Sequence, residues 1–173
     1  MVMAGQVTEL IRTKLDWRSF SDRPVSREDV IAILDAARWA GSGKNTQHWR
    51  FILIEDKEEL RWLAEHTTTG LWLKGAAFAV IVTTDASIPY HQLDAGRAIA
   101  NMQLEAWSRG ITSCITTGYD QSVIRQRYGI PEKRAVDAIV GFGYPDRPLK
   151  GKKSRRPLSE LVHVGRYGNT LKV

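Results

Sequence analysis

Ala40-Gly41-Ser42-Gly43-Lys44-Asn45-Thr46-Gln47-His48-Trp49-Arg50-Phe51 lies between an amphipathic helical pattern and a short apolar run. It crowds small residues, amides, a cation and an aromatic into one connection. Such a loop can wrap a flat ligand with polar edges. Its Gly-Ser-Gly-Lys core also imitates a phosphate-binding loop, and the two readings lead to different proteins. The second fails. In the G-x-x-x-x-G-K-[ST] pattern the first glycine would fall on Arg38, and Asn45 follows the lysine.

Upstream of the loop, Ser26 to Asp29 reads as an S-x-x-D capping box with Pro24 marking an extended approach. Val30, Ile33, Leu34 and Ala37 then recur at helical spacing, which predicts a helix to about Trp39. Downstream, Phe51 to Ile54 predicts a buried strand, and Asp56 caps a helix carrying Leu60, Leu63 and Ala64. Ala76 to Thr83 is continuously apolar and β-branched, hence a central strand. His91 to Ser108 is helical, with Gly110 as its C′ residue. On it, Gly96 and Ala100 would admit close approach by another element or a second subunit. Ile111 to Thr117 is a strand, Gln121 to Tyr128 a short helix closed by Gly129 and Pro131, and Ala138 to Phe142 the last strand. Helices and strands thus alternate around one sheet in a single domain spanning 1–173.

The chain has 173 residues, 43% of them hydrophobic, enough for one domain with a real core. The longest apolar run, Gly75 to Val82, is far short of a membrane span. No basic-then-apolar leader pattern is present and there is a single cysteine, so a cytoplasmic protein without a disulfide framework is expected. The net charge of +6 equals the contribution of Arg147, Lys150, Lys152, Lys153, Arg155 and Arg156 alone. That focus suits a phosphate ligand at least as well as a nucleic-acid track. Residues 147–173 read as a basic arm, which in so short a chain is expected to pack on a partner subunit.

Other motifs fail. Gly141-Phe142-Gly143 is no dinucleotide fingerprint, because Asp146 stands at the third glycine and Pro145 interrupts the turn. His48, His66, His91 and His163 are dispersed, with no zinc-site spacing. His91 and Asp94 read as a capping or solvent-facing pair, and Cys114 as an inert core thiol. What remains has four parts. Lys14, Asp16 and Arg18 share one face if extended. The 40–51 loop supplies amides, Ser42 and Trp49. Thr116-Thr117-Gly118 ends a strand, where backbone N–H groups become available, and the arm supplies Lys153 and Arg155. Cations for a phosphate, donors for a ring edge and aromatic surface suit flavin mononucleotide (FMN). The same residues also read as solvated charge with Trp49 in the core, since about a quarter to a third of ordinary surface is charged.

At these residues the chain resembles the FMN-dependent nitroreductase family from about Ile11 to Leu161. The likeness runs through Arg18-Ser19-Phe20 with Pro24-Val25, Ala36 to Ala40, then Ser42, Asn45, Gln47, Trp49 and Phe51. It continues through Leu93-Asp94-Ala95-Gly96, Asn101-Met102, Gly110-Ile111, Ser113-Cys114 and Gly141 to Pro145. The resemblance implies an α+β fold with a mostly antiparallel central sheet flanked by helices. It further implies an intertwined homodimer with an exchanged C-terminal arm and FMN between the subunits. On this likeness Lys14 stands at the first phosphate-binding cation and Arg18 faces the flavin N1/O2 edge. Lys153 and Arg155 complete the phosphate site, and Thr117 and Gly118 form the turn whose N–H approaches N5. Ser42, Gly43, Asn45 and Gln47 belong to the loop that reaches the flavin, from the other subunit.

The chain departs from the family pattern where it has Asp16 in place of a small hydroxyl residue and Leu15 in place of a second cation. A carboxylate beside a phosphate repels it by about 1 kcal/mol at about 4 Å in water. Asp16 is therefore expected to accept hydrogen bonds from ribityl hydroxyls or to pair with Arg18. The implied activity is transfer of electrons from NAD(P)H through FMN to a nitroaromatic or quinone-type acceptor, one after the other on the same flavin face. That explains why no dinucleotide fingerprint is needed. The segment His66 to Trp72 is the candidate lid over that face. Two alternatives stay open: a flavin-modifying or dehalogenating member of the family, and a basic non-enzymatic module that binds nucleic acid through Lys150 to Arg156.

Overall fold

The computed structural model describes residues 5–172; Met1 to Ala4, and Val173 at the end of the expected arm, lie outside the described residues. The elements are α1 Gln6–Thr13, α2 Arg27–Arg38, β1 Arg50–Ile54, α3 Lys57–Glu65, β2 Phe78–Asp85, α4 His91–Ser108, β3 Thr112–Thr116, α5 Gln121–Tyr128, β4 Arg134–Gly143 and α6 Leu158–Leu161. The four strands form one antiparallel sheet in the order β1-β2-β4-β3. The expected α+β sheet flanked by helices is what forms.

The apolar run of β2 is continuous because helices cover both faces of the sheet. Phe78, Val80 and Val82 pack with α2 and α4, while Ala79 and Ile81 face α3 and α5, the period-two alternation of a pleated strand. Phe78 pairs with Phe142 on β4, and their rings stack at 4.8 Å. β2 and β4 occupy the centre of the sheet, leaving β1 and β3 as edges.

The local signals read in the sequence have physical counterparts. The Ser26 side chain accepts from the Asp29 N–H, and Asp56 accepts from Glu58 and Glu59. α4 closes in a Schellman arrangement: Gly110 sits at φ +72, its N–H on Trp107, with the Ile111 N–H on Ala106. α1 was not foreseen, although Val7, Leu10 and Ile11 recur at helical spacing; none of its residues is buried. The arm after Asp146 carries α6 and a bridge between His163 and Thr170. Leu158, Leu161, Val164 and Tyr167 on it are exposed. Leu93, Gly96 and Ala100 on α4 are also exposed, and no atom lies within 4 Å of where a Gly96 Cβ would stand. Among the described residues no helix is long and apolar enough to cross a membrane.

Candidate functional site

The free edge of β3 organises the site. Residues 16–18 run beside it, with Asp16 bridged in parallel to Ser113 and the Trp17 N–H on the Ser113 carbonyl at 3.0 Å. This extended backbone sorts the side chains as expected. Trp17 and Ser19 turn to one carboxylate, Asp146, at 3.3 and 2.8 Å. Lys14, Asp16 and Arg18 turn the other way. Lys14 Nζ lies 2.5 Å from Asp16 Oδ1, and Arg18 Nε donates to Cys114 Sγ at 3.3 Å.

Asp16 does not pair with Arg18. It pairs with Lys14, and its Oδ1 also accepts from Gln103 Nε2 at 3.3 Å. Cys114 is buried as expected, yet it is more than a core thiol: its hydrogen bond holds the Arg18 guanidinium above its ordinary range. Trp49 is buried just before β1 and lies away from this segment, in the wall of a cleft with Leu34, Gln47 and Phe51.

Beside this segment lies a cleft of about 640 Å³, lined by Ile11, Leu15 and the cations Arg12, Lys152, Lys153 and Arg155. None of these four cations forms an ion pair among the described residues. Lys153 Nζ donates to the Ile11 carbonyl at 2.6 Å. Partial burial, and then the neighbouring charges of Lys14 and Arg155, hold its ammonium below the usual lysine range. Cations that converge in one cleft and outnumber the nearby Asp16 carboxylate make its potential positive. Arg12 was not singled out in the sequence, and Lys152 was named only as one of the six cations of the basic arm, because nothing local distinguishes either. A second cleft, about 390 Å³ and lined by Asp16, Trp17, Arg18, Ser19 and Arg147, adjoins the first along the chain.

Farther along β3, Thr117 and Gly118 leave the strand against residues 67–69. The Thr68 N–H donates to the Gly118 carbonyl at 2.7 Å, and Thr69 and Thr116 share a hydroxyl contact at 2.9 Å. An added Cβ at Gly118 would meet Thr68 Oγ1 at 2.2 Å, so only glycine fits. The segment His66 to Trp72 therefore borders the end of β3, with Trp72 packed near Phe20 and Leu71 exposed.

Ser42, Gly43, Asn45 and Gln47 are not brought to this site within one chain. Their loop is fixed to the first turn of α4, where Asp94 accepts the Gly43 N–H at 2.9 Å and His48 Nε2 lies at 3.1 Å. Gln103, which touches Asp16, lies nine residues farther along α4, roughly 13 Å of helix axis. Ser42 Oγ accepts the Gln47 N–H and so closes its own loop. His91 and Asp94 do not pair with each other either: His91 faces Asp137 and Thr84, and Asp94 is buried. Among the described residues no group of His, Cys, Asp and Glu is placed to hold a metal ion.

The arrangement fits a ligand with an anionic end, a polar middle and a ring: cations at one end, Asp16 between, and Arg18 with the strand end beyond. Comparison with known proteins gives the family. The nitroreductase family model matches residues 11–86 and 67–144. An Archaeoglobus fulgidus protein named "Putative NADH dehydrogenase/NAD(P)H nitroreductase" is 36% identical over 146 residues, covering 79% of this chain and 84% of its own. An iodotyrosine deiodinase of Thermotoga neapolitana is 26% identical over 179 residues, covering 89% and 94%. The solved structure of an FMN-dependent nitroreductase from Clostridium difficile superposes with a TM-score of 0.84 at 27% identity, covering 92% of this chain and 99% of that one. The chain belongs to the nitroreductase family.

Proposed function

We propose that this protein is an FMN-dependent NAD(P)H oxidoreductase that reduces an electron-poor acceptor of the nitroaromatic or quinone type. The observation that carries the reading is the cleft lined by Arg12, Lys152, Lys153 and Arg155, with Leu15 in its wall and Arg18 three residues on in the second cleft. Lys153 and Arg155 would hold the phosphate, joined by Arg12 and Lys152. Arg18, its Nε fixed on Cys114, keeps its remaining guanidinium N–H groups for the N1/O2 edge, where a cation favours added negative charge. The turn at Thr117 and Gly118 would present backbone N–H toward N5. Bound FMN supplies the hydride and electron transfer, so no side-chain acid or base is obligatory.

The partner subunit completes the site in this reading. Leu93, Gly96 and Ala100 on α4 and the apolar residues of the arm form uncovered surface that a second copy would bury. The loop carrying Ser42, Gly43, Asn45 and Gln47 would then reach the flavin of the other protomer. The likeness to the deiodinase supports a second reading, reductive dehalogenation, which shares the cofactor and differs in the acceptor.

Stripping the protein of flavin and titrating FMN tests the first reading. Saturable binding of one FMN per chain is expected, weakened at least tenfold in the Lys153→Ala/Arg155→Ala variant. Absence of binding to the wild type would contradict it. Steady-state rates with nitroaromatics, quinones and iodotyrosine then separate the two acceptor classes.

A further inference from the structure

Leu15 lines the first cleft and Asp16, the next residue, lines the second; the Asp16 carboxylate is held by one oxygen only. Oδ1 takes both Lys14 Nζ and Gln103 Nε2, and Gln103 Nε2 is itself fixed on Ser113 Oγ at 3.1 Å. Among the described residues Oδ2 has no hydrogen-bond partner, and the side chain is 62% exposed beside the cleft that contains Arg18. Lys14 is only 12% exposed, its ammonium committed to Asp16. The cation read as serving a phosphate is thus tied down, and an acceptor oxygen is left without a partner on an exposed carboxylate that lines the second cleft.

Both effects act in one direction. A carboxylate near the phosphate repels it, and Lys14 is withheld from it. Oδ2, an ionised acceptor, instead favours a hydroxyl donor. We propose that Asp16 is a specificity-determining residue that moves recognition from the phosphate toward the hydroxylated chain, narrowing the margin by which the site prefers FMN over riboflavin. The inference rests on the flavin reading of the site given above.

The test is titration of the flavin-stripped protein with FMN and with riboflavin, followed by flavin fluorescence. In Asp16→Ser the acceptor is lost and Lys14 released. Riboflavin should bind at least threefold more weakly, and the ratio of riboflavin to FMN dissociation constants should rise at least tenfold. Asp16→Asn keeps an acceptor without the charge, so riboflavin affinity should stay within twofold of wild type. In Lys14→Met/Asp16→Ser the gain in ratio should vanish, to within threefold of wild type. A ratio that stays within twofold of wild type or falls in Asp16→Ser, or a gain that survives the loss of Lys14, overturns the proposal while leaving the flavin reading intact. If the wild type binds neither flavin, the flavin reading itself falls.

Discussion

His48 Nε2 meets Asp94 Oδ2 at 3.1 Å, a buried contact that ties the 41–48 loop to the first turn of α4. The Asp85 N–H donates to His48 Nδ1 at 3.3 Å, which assigns the ring proton to Nε2 and makes the imidazole the donor to Asp94. The same carboxylate oxygen takes the Gly43 N–H. Between these anchors Lys44, Asn45 and Gln47 are held at φ 52, 54 and 47, the left-handed region that side chains other than asparagine seldom adopt. Such a backbone persists only where its ends are fixed, and here Asp94 fixes them.

Asp94→Ala should therefore release the loop. It strands a buried N–H and a buried imidazole, so a loss of about 2–4 kcal/mol is expected in urea unfolding. The amides of residues 42–48 should lose hydrogen-exchange protection before the rest of the chain. Asp94→Asn, which retains a neutral acceptor, should fall between.

Gly118→Ala tests the close approach at the end of β3. Its Cβ would lie 2.2 Å from Thr68 Oγ1, which costs about 1–3 kcal/mol unless the 67–69 segment moves. Adding Thr68→Ala removes the obstructing hydroxyl and should restore most of the stability, a non-additive cycle readable by thermal unfolding. Full additivity would place the strain elsewhere.

Acid sensitivity should have a component at Glu59. The Arg127 guanidinium, with Tyr128 adding a hydrogen bond at 3.0 Å, outweighs desolvation and holds the Glu59 carboxyl below its usual range. A lowered carboxyl contributes stability above the unfolded-state value, about 4.3, and loses it as pH falls through the folded-state value. Because the pair is partly exposed, Glu59→Gln should cost no more than about 1 kcal/mol near neutrality. The difference from wild type should shrink as pH falls through the folded-state value and vanish once Glu59 is protonated in both states.

Elements with strong local chemistry were legible in the sequence. The Ser26 and Asp56 caps, the Gly110 terminus and the two-faced apolar run of β2 all rest on short-range patterns, and each took the form read. α1 was missed although Val7, Leu10 and Ile11 form an apolar stripe at helical spacing; the stripe is short and Val7 and Ile11 stay exposed in this chain. The Lys14, Asp16 and Arg18 alternation was readable from period two alone, but their partners were not. Gln103 reaches Asp16 across 87 residues and Cys114 reaches Arg18 across 96, separations set by how α4 and β3 come together. Asp16 pairs with Lys14 and not with Arg18, whose Nε lies on Cys114. His48, half of the anchor that fixes the loop, looked like one more dispersed histidine.

The central claim is that one flavin face carries electrons from a nicotinamide to an acceptor. Anaerobic stopped-flow mixing of the FMN-loaded protein tests it most directly, in two separate half-reactions. The account predicts that NADH or NADPH bleaches the visible flavin band in a first step, and that a nitroaromatic or quinone added afterwards restores it in a second. It also predicts that Arg18→Ala slows the first step at least tenfold. A flavin band that neither nicotinamide bleaches, or that returns only with molecular oxygen and with none of the acceptors, would contradict it.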